Sequence, residues 1–247
     1  MTEVAIVTGG SRGIGRAVSE KLAAARYAVV VNYVTDRQAA EKVAEDIAAL
    51  GGMAKVAQGD VADEDDVRAV FAVADRLGPL RVLVNNAGVV DRTQRVDEMS
   101  AARLHRMFGI NVVGPFLCAR EAVRRMSTKS GGRGGVIVNL SSVAATLGGD
   151  GQYVDYAAAK GAIDTFTVGL SREVAGEGIR VNAVRPGIID TDIHAAGGIP
   201  DRASRLAPLI PMQRAGTADE VADAIVWLVS DKASYVTGAI LDVAGGR

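Results

Sequence analysis

Short apolar runs alternate with longer amphipathic stretches along the whole 247-residue chain, and this alternation most constrains the fold. Strands are expected at residues 4–8, 28–33, 54–58, 81–84, 135–140, 180–184 and 239–243. Most are nearly continuous Val, Ile, Leu and Ala, as strands covered on both faces are. Helices are expected at 13–26, 37–50, 63–77, 99–127, 152–176 and 217–230, with Gly51-Gly52 and Gly78-Pro79 closing two of them. Strict β–α alternation implies an α/β fold: a single doubly wound parallel sheet of about seven strands, with helices on both faces and right-handed crossovers. No repeat or polar linker divides the chain, so residues 1–247 read as one domain. Residues 186–216 are too long for a structureless connection and read as a substrate-loop or lid segment within it, functional or partly helical.

Composition removes several function classes. The 28 Lys+Arg balance 29 Asp+Glu, and aromatics are 4%, so there is neither a global charge for phosphates nor a base-stacking platform. No nucleic-acid partner is expected. Cys118 is the single cysteine, and His105 and His194 lie far apart, which speaks against a disulfide or a structural metal. No apolar run approaches the roughly 20 residues of a membrane span, and the opening residues lack a signal-peptide layout. A cytoplasmic protein without a membrane partner is the expectation.

The chemistry starts at Thr8-Gly9-Gly10-Ser11-Arg12-Gly13-Ile14-Gly15, between the first strand and the first helix. Glycines let a backbone turn tightly and approach a pyrophosphate, and a helix N-terminus offers free N–H groups. Alone this is equally a tight turn. Val18 stands where a G-x-G-x-x-G pattern has its last glycine, and no Gly-Lys-Ser/Thr follows, so the loop is not a P-loop. Tyr156 and Lys160 are four residues apart on an expected helix, one turn apart on one face. A tyrosine near its ordinary pKa of about 10 exchanges protons poorly at neutral pH, and a nearby ammonium would stabilise its phenolate. Tyr153 competes for this role, but its i+4 residue is Ala157.

Taken together, Thr-Gly-x-x-x-Gly-x-Gly, Asp60-Val61, Asn85-Asn86-Ala87-Gly88, Asn111, Ser142, Tyr156-x-x-x-Lys160 and Pro186-Gly187 resemble the short-chain dehydrogenase/reductase family, in order and over essentially the whole chain. The resemblance implies a Rossmann-type sheet and a nicotinamide dinucleotide. Gly9, Ser11, Arg12 and Ile14 would line the pyrophosphate and adenosine ribose. Asp60 and Val61 would hold the adenine, with a turn carboxylate the alternative for Asp60. Asn86, Ala87 and Gly88 would border the adenosine half, and Asn85 is structural. Pro186 and Gly187 lead to Ile189 and Thr191, which would hold the carboxamide. At the end of the second strand Asn32 and Tyr33 occupy the place of the usual acidic residue, Asp36 reads as a helix N-cap, and Arg12 and Arg37 are near. A carboxylate there would oppose a ribose 2′-phosphate. NADP(H) is the cofactor favoured, with NAD(H) the alternative.

By the same resemblance Tyr156 is the general acid/base, Lys160 supports it and binds the nicotinamide ribose, Ser142 positions the substrate oxygen, and Asn111 completes a proton relay. Asn111 equally suits an amide satisfying a bend, since Gly109 and Gly114-Pro115 imply an irregular helix. Ser142 lies 14 positions before Tyr156, one more than the family usually has. An extra residue within Gly148-Gly149-Asp150-Gly151 would account for this, and Ser141 is the competing hydroxyl. Cys118 reads as a small core side chain, Asp190 and Asp192 as solvated carboxylates, His105 as exposed, and His194 as a substrate contact or a surface residue. The expected activity is interconversion of a secondary alcohol and a ketone. Its runner-up is a 3-oxoacyl-carrier-protein reductase, for which Arg124, Arg125, Lys129, Arg133 and Arg172 could meet an acidic carrier or simply be solvated. A non-catalytic nucleotide sensor is the alternative from another class. Long Ala/Gly-rich helices and residues 242–247 imply, by resemblance, a homotetramer.

Overall fold

A computed structural model of the chain describes residues 2–191 and 201–247. Strands β1 (Val4–Val7), β2 (Ala28–Tyr33), β3 (Met53–Gln58), β4 (Leu80–Asn85), β5 (Gly135–Leu140), β6 (Ile179–Pro186) and β7 (Ile240–Val243) form one sheet. The sheet is parallel throughout, in the order β3-β2-β1-β4-β5-β6-β7. The helices are α1 (Gly13–Ala24), α2 (Arg37–Ala49), α3 (Glu64–Asp75), α4 (Ala101–Phe108), α5 (Gly114–Met126), α6 (Ala144–Leu147), α7 (Val154–Val174), α8 (Arg202–Leu206) and α9 (Ala218–Val229).

The strand period of two explains the near-continuous apolar runs. In β1, Ala5 and Val7 enter one core cluster, while Val4 and Ile6 enter the other. In β2, Val29, Val31 and Tyr33 face the first cluster, and Ala28 and Val30 the second. Strands β1, β2 and β5 are buried on both faces, so they show no polar alternation. The first cluster is roofed by α1, α2 and α9, the second by α3, α5 and the end of α7. Edge strand β3 departs from this pattern: Met53, Lys55 and Gln58 are exposed, and a charged edge resists pairing with another chain.

The expected helix 99–127 is interrupted. A single π-helical turn, Gly109–Val113, separates α4 from α5, and Pro115 opens α5. Expected ends elsewhere move by one or two residues, as in β6, which gains Pro186, and α7, which begins at Val154. Arg180 ties the sheet to α9: its guanidinium donates to the carbonyls of Leu228, Val229 and Ser230 at 2.7, 3.1 and 3.2 Å. These are last-turn carbonyls that a helix leaves unpaired. The described part of 186–216 is partly helical, with α8 and Ala207–Leu209, and Ile188, Ala203 and Ile210 form a small core of their own. Asp192 and His194 lie outside the described residues.

Candidate active site

The order of strands reverses between β1 and β4, and their carboxyl ends are stitched together. The Thr8 hydroxyl accepts from the backbone N–H of Asn86 and of Ala87, both at 3.0 Å. The Asn86 carboxamide donates to Thr8 O and Gly9 O at 2.8 and 2.9 Å. Such a crevice is where open α/β sheets bind ligands. The glycine loop above it is close-packed: a Cβ on Gly15 would lie 2.2 Å from Gly9 O, and Gly9 itself has φ +61°. Arg12, the N-cap of α1, is exposed, and an arginine has no acceptor to cap the first turn. The first-turn N–H groups therefore have no capping side chain at Arg12 and suit an external anion.

At the end of β2, Asn32 is buried and its carboxamide works within the chain. Its oxygen accepts from Gly9 N at 3.2 Å, and its nitrogen donates to Ala57 O and Gly59 O at 3.2 and 2.9 Å. Tyr33 is buried in the core cluster, and Asp36 caps α2 through Ala39 N at 2.9 Å. Arg37 is exposed and pairs with Glu41 at 2.7 Å. Asp60 accepts from Ala62 N at 2.9 Å in a turn, while buried Val61 packs where a Cβ on Gly114 would sit 2.7 Å from it.

A cavity of about 240 Å³ continues from this crevice along the ends of β4, β5 and β6. Its walls bring together Ile14, Asn86, Gly88, Ser142, Tyr156, Lys160, Pro186, Gly187, Ile189 and Thr191. Thr191 reaches over the glycine loop, its methyl 3.5 Å from where Gly13 would carry a Cβ. Gly187 lies against Ala244, so a side chain there would strike the backbone after β7. Asn111 is not a wall residue. It is fully buried behind Gly88 in the π-turn, accepting from Val89 N at 3.1 Å and donating to Val89 O and Met107 O at 3.0 Å each. It satisfies a widened turn and pins the chain leaving β4, and π-turns of this kind recur at functional sites.

Ser142 and Tyr156 line the same cavity, and the Ser142 hydroxyl accepts from Ala144 N at 3.1 Å. Ser141, the competing hydroxyl, is buried and donates to Lys160 O at 3.2 Å. Between Ser142 and Tyr156, Gly148 caps α6, and Gly148, Gly149 and Gly151 all adopt positive φ. Tyr153 stands edge-on to Tyr156, with ring centroids 5.9 Å apart at 88°.

The electrostatics correct one expectation. Burial pushes the Tyr156 phenol up to about 12, opposed by the Ser142 hydrogen bond, and burial pushes Lys160 down to about 8, opposed by Asp164. The expected lowering of Tyr156 by Lys160 is absent. Lys160 Nζ instead donates to Leu140 O at 2.7 Å and lies 5.6 Å from the Tyr156 ring centroid. Both groups are desolvated, and desolvation disfavours the charged form of each.

Sequence reasoning missed the groups behind this wall. Arg103 is buried against Asp155, the neighbour of Tyr156, and Asp164 is bound by Arg185 at 2.7 Å one turn beyond Lys160. A helical Arg among Arg103–Arg106 carries no signal that separates a buried fork from a solvated charge. His105 is exposed, as is Asp190, while Cys118 is buried and its thiol is pushed up to about 12 by burial.

Comparison with known proteins agrees with this geometry. Residues 9–247 match the family model described as enoyl-(acyl carrier protein) reductase. The chain is 57% identical over 245 residues to the uncharacterized oxidoreductase YgfF of Escherichia coli, covering 99% of each. It is 39% identical over 247 residues to the 3-oxoacyl-[acyl-carrier-protein] reductase FabG of Staphylococcus aureus, covering 100% of this chain and 98% of that one. A short-chain dehydrogenase from Burkholderia cenocepacia, solved in complex with NADP, superposes with a TM-score of 0.90 at 35% identity, over 99% of this chain and 97% of that one. With the sheet order, the glycine loop and the Ser142–Tyr156–Lys160 group all in one crevice, the chain belongs to the short-chain dehydrogenase/reductase family of oxidoreductases.

Proposed function

We propose that the chain interconverts a secondary alcohol and a ketone with NADP(H), using Tyr156 as general acid/base. The observation that carries this reading is the convergence of Ser142, Tyr156 and Lys160 on the wall of one cavity with Ile14 and Asn86 of the glycine-loop crevice. The donor chemistry fits a dinucleotide. Gly9, Ser11, Arg12 and Ile14, at the positive end of α1, would hold the pyrophosphate and adenosine ribose, and Asn86, Ala87 and Gly88 would border them. Asp60 and Val61 would take the adenine, and Ile189 and Thr191, beyond Pro186 and Gly187, the carboxamide. When bound, the cofactor supplies the hydride donor or acceptor.

The chain's own residues handle the proton and the substrate oxygen. Ser142 donates a hydrogen bond that holds the carbonyl oxygen beside the phenol. Tyr156, kept protonated by burial, gives its proton to the oxygen as a ketone becomes an alcohol, and takes it back in the other direction. The phenolate left behind regains its proton from solvent, with Lys160 and Asn111 completing the relay.

NADP(H) is favoured over NAD(H) because the end of β2 carries Asn32 and Tyr33 in place of a carboxylate, and because a related structure holds NADP. Arg12 is the exposed cation of the glycine loop, and Arg37 would have to leave Glu41 to join it. A 3-oxoacyl-carrier-protein reductase is the second reading, supported by a 39% identical relative of that name. Of the basic residues that could meet a carrier, Arg124, Arg125 and Lys129 pair with Glu121, Asp75 and Glu177 within the chain. A homotetramer is also part of this reading. Phe108, Val113 and Phe116 are exposed along α4 and α5, Phe116 stacks on Phe166 of α7 at 3.8 Å, and Gly161 and Gly169 leave open space on α7.

The test is a turnover screen of sugars, steroids, acyl thioesters and small diketones, each with NADPH and NADH. Turnover of at least one carbonyl, with tighter binding of NADPH than NADH, is expected. Equal or tighter NADH binding would overturn the cofactor assignment, and the absence of turnover across the panel would overturn the activity.

A further inference from the structure

The buried guanidinium of Arg103, on α4, meets two other segments, residues 92–94 and the start of α7. Its Nε and Nη2 donate to the two oxygens of Asp155 at 2.8 and 3.2 Å. Its Nη1 donates to Arg92 O at 2.7 Å and to the Gln94 side-chain oxygen at 3.0 Å. Asp155 in turn accepts from the backbone N–H of Tyr156 at 3.0 Å. The Arg103 and Asp155 side chains are 8% and 1% exposed, so this is an ion pair inside the protein. Around it, Gln94 N donates to Gln152 O at 2.9 Å, which joins the segment after β4 to the residues that lead into α7. Asp91 and Thr93, on either side of Arg92, line the same cavity as Tyr156.

We propose that Arg103 is a positioning residue that fixes the 91–95 wall of the cavity to the first turn of the Tyr156 helix through Asp155. This rests on the reading of Tyr156 as the acid/base and adds the element that sets its distance from the substrate wall. Stability alone does not call for such a pair. A Ser or Asn near the start of α7 would satisfy first-turn N–H groups, and well-packed apolar residues commonly replace a buried ion pair without loss. What a forked cation making four hydrogen bonds does that these cannot is hold its own helix and two other segments in one register. A shift of about 1 Å between acid/base and substrate is enough to cost about 100-fold in rate.

The experiment compares Arg103→Met, Asp155→Asn, the double variant Arg103→Met/Asp155→Asn, and Arg103→Lys with the full-length protein. It measures melting temperature, NADPH dissociation constant, kcat and KM on a carbonyl found in the screen, and amide hydrogen exchange. Each single change leaves one buried charge unpaired and lowers the melting temperature. The double variant removes both charges and regains most of that loss. Its kcat/KM nevertheless stays at least about tenfold below the unmodified protein, with NADPH affinity within about twofold and the Gln94 amide exchanging at least about tenfold faster. Arg103→Lys, which keeps the charge but not the fork, falls between. A double variant that regains both its melting temperature and wild-type kcat/KM would overturn the proposal, as would unchanged exchange at Gln94. The exchange measurement needs no turnover, so it decides the role of Arg103 even where the Tyr156 reading fails.

Discussion

Lys160 shows how one residue is set by competing forces. Its ammonium donates to Leu140 O, and the field of Asp164 supports it, yet desolvation prevails and its pKa falls from 10.5 to about 8. A folded-state pKa below the unfolded one means that between those values the unfolded chain binds the extra proton. Stability therefore rises with pH from about 8 to about 10.5, and near pH 7 the buried ammonium opposes folding by about 3 kcal/mol. Lys160→Met removes that penalty together with one hydrogen bond. Thermal melts should find the variant at least as stable as the unmodified protein at pH 7, with the unmodified protein gaining on it between pH 8 and 10. A constant difference across that range would show that Lys160 titrates normally. The identities of Tyr156 and Lys160 were legible from their spacing, but the direction of their charge shifts was not, because burial is a property of the assembled walls.

At the scale of elements, the joint between β1 and α1 is the least tolerant part of the site. Gly15 begins the second residue pair of α1 with Gly9 O at 2.2 Å from any added Cβ and the Asn86 amide at 2.5 Å. Backbone atoms cannot give way as side-chain tips do, so Gly15→Ala must push the glycine loop off the β4 end. A cost of about 3 kcal/mol or more follows, lowering the melting temperature by about 6 °C or more. Calorimetry and NADPH titration should show both losses together, and unchanged values for both would contradict the packing described. The strands were readable because runs buried on both faces have no polar positions. Element ends and the π-turn at Gly109–Val113 were less so. Gly109 and Gly114-Pro115 announce an irregularity, but its form depends on Asn111 finding Val89 and Met107 in three dimensions.

For the whole molecule, the exposed aromatic stripe on α4 and α5 calls for a partner surface, and the homotetramer reading supplies one. Phe116→Asp should lower the mass measured by light scattering at micromolar concentration, while a monomer mass for the unmodified protein would end that reading. The fold and the residues of the candidate crevice were largely visible in the order of motifs along the chain. The Arg103–Asp155 pair and the Asn32 bridge between Gly9 and β3 were not, because they join residues 52 and 23–27 positions apart through contacts that leave no local pattern. The central claim is that proton transfer passes through one of two neighbouring tyrosines on the same wall. Carbonyl reduction by Tyr156→Phe and Tyr153→Phe, measured side by side with NADPH, tests it most directly. Tyr156→Phe should lose at least about 100-fold in kcat while keeping its melting temperature and NADPH affinity, and Tyr153→Phe should stay within about tenfold. Retained turnover in Tyr156→Phe alongside its loss in Tyr153→Phe would contradict the account.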